Sequence, residues 1–125
     1  MLGAIAAWKL FEYLTDKTLS NQSSSFDTRV WIAELAGTFI FTMGIAAAIH
    51  RGYEDLVKAA TIGTSLFVGL LVASLASGGI LNPALALALQ NFSSAYIIGP
   101  LLGAVLGFNI YAWLFKPTTK KPKKR

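Results

Sequence analysis

Cysteine is absent from the 125 residues, which excludes disulfides, thiolate nucleophiles and Cys-ligated metals and leaves the redox compartment open. Charge is nearly as scarce: 14% of residues are charged against 54% hydrophobic, and mean hydropathy is positive. That balance points to a membrane protein, and the length leaves room for one domain at most. The single histidine, His50, stands beside Arg51 in a polar connection and reads as solvated rather than as a proton relay or ligand. Asp27 and Glu34 are too isolated to form a catalytic carboxylate pair, and no nucleophile motif is present. No enzyme, metal site or cofactor is expected. The start has neither a basic n-region nor a following cleavage site, so no cleavable signal is expected either.

What charge there is lies unevenly. Lys116, Lys120, Lys121, Lys123, Lys124 and Arg125 all fall in the last ten residues. Such a tail suits the cytoplasmic membrane face with its anionic lipids. A nucleic-acid role fits less well, because no aromatics interleave the cations and an apolar span immediately precedes them.

The apolar runs divide the chain. Residues 30–49 form a first span with Glu34 as its one charge, 59–76 a shorter second, and 95–115 a third. Residues 1–14 carry Trp8, Phe11 and Tyr13 but also Lys9 and Glu12. As a helix of about 20 Å they are too short to cross, and taken alone read as interfacial. Residues 15–29 are a polar loop and 50–58 a short charged connection. Trp31, Tyr96, Tyr111 and Trp113 lie near span ends and read as interfacial anchors.

Between the second and third spans comes Ser77-Gly78-Gly79-Ile80-Leu81-Asn82-Pro83-Ala84, backed by apolar residues to Leu89. The glycines permit an irregular backbone, Asn82 is a favoured cap, and Pro83 suits the first helical position. A helix of about ten residues follows before Gln90 to Ser94 breaks it, half of what a crossing needs. Residues 77–90 therefore read as re-entrant. Irregular backbone at membrane depth survives only where it is buried in protein or lines a watery cavity. With a re-entrant turn, the 50–58 connection and the tail share one side. The loop at 15–29 and the 90–95 turn share the other, with only Lys17 and Arg29. The positive-inside rule puts the tail in the cytoplasm.

Residues 2–14 also align without a gap on 102–114, sharing the Leu-Gly-Ala start, the aromatic positions and the final leucine. On this reading the stub is the tail of a preceding repeat's last helix, and the complete protein carries two repeats.

Three motifs then become recognisable. Ala33-Glu34-Leu35-Ala36-Gly37-Thr38-Phe39 resembles the Ala-Glu-x-x-Gly-Thr-Phe opening of a repeat in the aquaporins, the major intrinsic protein family. Ser77 to Ala84 resembles that family's Asn-Pro-Ala loop, and Gly99-Pro100-Leu101-Leu102-Gly103 the start of its closing helix. The fold implied is an all-α membrane protein: an aquaporin-like half of three transmembrane helices and one re-entrant half-helix, with the N-terminal stub.

The resemblance implies a channel in which two such loops meet at mid-membrane. Asn82, Pro83 and Ala84 would be the pore motif, with the Asn82 amide pointing a donor at the solute. Paired helix N-termini would repel cations. Carbonyls of Ser77, Gly78, Gly79 and Ile80 would form an acceptor ladder, and Glu34 would support the loop. The plainer reading of Glu34 is a carboxylate snorkelling toward the interface. Filter positions fall at Leu70, Gly79 and Leu85, where an Arg is usual at position 85 of a second repeat. That set implies a wide, apolar constriction suited to larger neutral solutes, or little conduction. Residues after Asn-Pro-Ala also look like first-repeat loops, so placement in the second repeat rests on the stub.

Gly37, Gly99, Gly103 and Gly107 have the spacing of small residues that let membrane helices approach closely.

The expected function is a passive channel subunit for water or small neutral solutes in a multi-pass protein of the plasma (inner) membrane. Its expected partners are the bilayer, anionic lipids, and a complementary half or further copies of itself, a tetramer in the family. A dual-topology pair of copies would restore an inverted arrangement, but the basic tail favours one orientation. The alternative is a non-conducting membrane fragment with a structural or partner-binding role.

Overall fold

A computed structural model describes residues 2–19, 26–91 and 93–115. The basic tail at 116–125 and part of the 15–29 loop lie outside these residues. Five helices follow one another: α1 Leu2–Thr15, α2 Thr28–His50, α3 Asp55–Ala73, the short α4 Pro83–Ala88, and α5 Ser94–Leu114. Three of them, α2, α3 and α5, are long and apolar enough to cross a bilayer. The fold is all-helical among the described residues.

Caps set the boundaries. Asp27 accepts the Arg29 N–H at 2.8 Å and starts α2, while Gly52, with φ +62°, follows its end. The second long helix begins four residues earlier and ends three earlier than the apolar run 59–76 suggests. Asp55 to Lys58 join it because a first turn tolerates charge. Ala73 ends it because Ser74 to Ala76 continue as turns, with Ser77 N–H bonded to the Ala73 carbonyl at 2.9 Å.

α2 is the central element, with α5 along one side and α3 along another. The register against α5 is set by glycines. A Cβ on Gly99 would lie 2.9 Å from the Trp31 carbonyl, one on Gly103 would strike the Leu35 carbonyl, and one on Gly107 would lie 2.9 Å from the Phe39 carbonyl and strike the Thr42 side chain. Both helices advance together by four residues at each contact, so they run parallel. Against α3 the order reverses: Gly37 meets Gly69 and Ala73, and Gly44 meets Ser65. At the crossing, a Cβ on either Gly37 or Gly69 would lie 2.5 Å from the other's carbonyl oxygen.

This pairing has a topological result. α3 ends, and α5 begins, at the end of the bundle where α2 starts. Residues 74–93 therefore leave and return at the same end without crossing. Within that segment Leu81 is buried with its side chain against Gly37, ten residues into the 23 of α2.

Outside these contacts the surface is apolar. Phe67 and Leu71 of α3 and Leu101 and Val105 of α5 are all more than half exposed, which a lipid solvent explains and water does not. Trp113 is exposed near its helix end, but Tyr96 and Tyr111 are buried rather than interfacial. The Tyr111 ring lies between His50 at 5.6 Å and Phe115 at 4.8 Å, and joins the ends of α2 and α5.

Candidate functional site

Among the described residues Glu34 is the largest fully buried side chain, and none of them gives its carboxylate an ion pair. Three donors replace the water it has lost. Its Oε1 accepts the Ile80 N–H at 2.9 Å and the Ser77 hydroxyl at 2.7 Å, and its Oε2 accepts the Leu81 N–H at 2.6 Å. A buried carboxylate is tolerable on such terms, because charge-assisted bonds offset its desolvation. The carboxylate faces inward, onto the loop, rather than out of the bundle.

The loop needs this support. Leu81 adopts φ +52°, a left-handed conformation that costs a leucine roughly 1–2 kcal/mol. Its amide is held by Glu34 and its side chain by the Gly37–Gly69 crossing, so the strained conformation is fixed at both ends. Gly79 takes φ +61° without such a penalty. Ser77 closes the turn, its hydroxyl accepting the Gly79 N–H at 3.0 Å. Tyr96 of α5 reaches in, its hydroxyl accepting the Gly78 N–H at 2.9 Å.

The N–H groups of residues 77 to 81 are thus all taken up by protein acceptors. Among the described residues, no donor reaches the carbonyls of Ser77, Gly78, Gly79 or Ile80. In a planar trans peptide the C=O points opposite to the N–H. Anchoring the amides of residues 78 to 81 therefore aims the four preceding carbonyls away from the anchors. The result is a strip of main chain whose free polar groups, the carbonyls of residues 77–80, are all acceptors.

Asn82 ends that strip. Its Oδ1 accepts the Ala84 N–H at 2.9 Å, which fixes the amide orientation and turns the Nδ2 donors outward. The residue is exposed, and Pro83 follows at the first helical position. Acceptors along 77–80 are therefore succeeded by a donor at 82.

α4 is shorter than the ten residues its composition supports. It stops after Ala88 because Gln90 turns left-handed, at φ +58°. The Gln90 N–H then bonds Leu87 O at 3.2 Å and the Asn91 N–H bonds Ala86 O at 2.9 Å, a Schellman ending that normally uses glycine. Ser93 caps α5 directly afterwards.

Of the expected filter positions, Leu70 and Gly79 come together: a Cβ on Gly79 would lie 3.3 Å from the Leu70 carbonyl. Leu85 is exposed on α4. α1 has no buried residue and packs against α4, with Trp8, Phe11 and Leu19 facing Ala88 and Leu89 across an apolar crevice. Two residues escaped the sequence reading. The place of Tyr96 near a span end suggests only an interfacial anchor, and nothing in the expected carbonyl ladder distinguishes the Ser77 hydroxyl from its carbonyl. The hydroxyl of Ser77 adjoins a glycine loop that needs acceptors, which is a signal in the sequence; Tyr96, eighteen residues beyond Gly78, carries none.

Comparison with known proteins agrees with this architecture. The profile of the family described as Major intrinsic protein matches residues 1–111. Aquaporin-2 of Rhizopus delemar is 32% identical over 111 residues, covering 78% of this chain and 35% of that protein. The chain thus spans about a third of the length of the curated relative it matches. No solved structure matches. The match over residues 1–111, carried by a chain with three helices long and apolar enough to cross a bilayer, places this integral membrane protein in the major intrinsic protein family.

Proposed function

We propose that the chain is a subunit of a passive channel for water or small uncharged solutes, and that it supplies about half of the conduit. The observation that carries this reading is the strip at residues 77–82. The amides of residues 78–81 are consumed by Glu34, Ser77 and Tyr96, the carbonyls of residues 77–80 meet no donor among the described residues, and the exposed Asn82 donor follows them. Such a surface replaces the hydration of a hydroxylated solute or a water molecule without offering charge. Leu70, Gly79 and Leu85 bring no cationic donor to it, which favours neutral solutes of glycerol size alongside water.

Pore-lining backbone must be covered on its open side by protein or water. The complementary wall comes from a second repeat, in a longer chain or as a separate one, or from further copies assembled as an oligomer. The segment 74–93 is re-entrant in this reading, and the C-terminal cations meet anionic lipid at the cytoplasmic face of the plasma (inner) membrane. Members of this family are channels, and the reading assigns the chain no catalytic residue.

Stopped-flow light scattering on vesicles carrying the purified chain tests the proposal. Water or glycerol permeability above that of protein-free vesicles is expected. Equal permeability for both solutes would overturn the channel reading for this chain.

A further inference from the structure

The acceptor strip has one peptide that could turn over at little cost. Reversing a peptide plane requires rotation about ψ of the residue before it and φ of the residue after it. For the plane between Ser77 and Gly78 the second rotation belongs to a glycine, which has no Cβ to resist it. The next plane is tied within the same turn, Gly79 N–H to Ser77 Oγ at 3.0 Å. The two beyond it are tied to Glu34 through Ile80 and Leu81. Only the Gly78 N–H depends on α5, through the Tyr96 hydroxyl at 2.9 Å.

Tyr96 is built to hold still. Its side chain is 6% exposed, and it packs with Ile80 and Ala86 in a buried cluster. Its own N–H bonds the Ser93 carbonyl at 3.0 Å in the first turn of α5. The hydroxyl lies so near the loop that a Cβ on Gly78 would meet it at 3.2 Å.

We propose that Tyr96 is a positioning residue for transport: by accepting the Gly78 N–H it fixes the Ser77–Gly78 peptide and so aims the Ser77 carbonyl along the conduit. Its consequence for transport rests on the channel reading, whereas the contact itself does not. Phenylalanine at this position keeps the ring in its cluster and removes the acceptor. The Gly78 N–H is then left without a partner unless its plane turns, and turning takes the Ser77 carbonyl out of the strip. Glu34 still holds Ile80 and Leu81, so the other end of the loop and the α2–α5 contact are unaffected.

The test uses the full chain in lipid nanodiscs with 15N-labelled glycine, of which there are eleven. In Tyr96→Phe the Gly78 amide proton is expected to move upfield and to exchange faster, while Gly99, Gly103 and Gly107 keep their positions. A role in packing alone would leave Gly78 where it was, and an unmoved Gly78 resonance overturns the proposal. Vesicle permeability in the same variant is expected to fall about fivefold, the scale of one neutral hydrogen bond. Should the variant fail to fold, the unaltered protein decides. Gly78 must exchange more slowly than Gly3, whose amide lies in the unbonded first turn of α1, and equal rates overturn the proposal. If the unaltered chain conducts no better than lipid while Gly78 still shifts in the variant, the channel reading fails and the Tyr96 contact stands.

Discussion

The α2–α5 seam and the loop at 77–82 sit side by side and are held by opposite means. Along the seam, Gly99, Gly103 and Gly107 let the backbone of α5 lie against α2, and one long contact from the Thr42 hydroxyl to the Gly103 carbonyl, 3.5 Å, crosses it. Cohesion there is spread over many small contacts. The loop instead hangs from three side chains, Glu34, Ser77 and Tyr96, each meeting specific amides. Shape fails gradually, whereas a polar suspension fails at single atoms.

Glu34→Ala should show the largest effect. It strips the acceptor from two loop N–H groups, Ile80 and Leu81, and each buried donor left unpaired costs about 1–3 kcal/mol. Thermal unfolding in detergent should show a loss of several degrees at the least, together with new proteolytic cleavage at 77–82. An unchanged midpoint would mean that the loop does not depend on this carboxylate.

Gly103→Val tests the seam. The added side chain must displace the Leu35 carbonyl and Thr38, an overpacking cost of about 1–3 kcal/mol at one site. Gly63→Ala is the control, because a Cβ there meets nothing within 4 Å. It should leave the midpoint unchanged or raise it slightly by helix propensity. Equal losses in the two variants would show that close backbone approach is not what joins α2 to α5.

Gln90→Gly should have the smallest effect, and of opposite sign. Glycine takes the left-handed ending of α4 without the steric penalty, so a gain of up to about 1 kcal/mol is expected from the unfolding midpoint. A loss would show that the buried Gln90 side chain contributes more to the loop's return than its backbone strain removes.

Much of the frame could be read from residue order. Apolar runs locate the three long helices because a bilayer demands about 20 apolar residues and little else. The four-residue spacing of Gly99, Gly103 and Gly107 puts them on one helical face without any coordinates. What residue order hides is which face meets which partner. Tyr96 is the third residue of its helix, which gives its depth but not its direction. Its partner, Gly78, is eighteen residues earlier, across a turn whose path the sequence leaves open. The charged first turn hides the start of α3 from an apolar pattern, and the left-handed Gln90 that shortens α4 leaves no compositional trace.

One property of the strip at 77–80 bears on how such proteins diverge. Its outward chemistry is carried by carbonyl oxygens that every amino acid possesses, so no codon change within the strip can delete them. Mutation can reach them only by changing their angle, through the anchors Glu34, Ser77 and Tyr96 or through the glycines at 78 and 79. A segment with quite different letters can therefore carry the same row of oxygens.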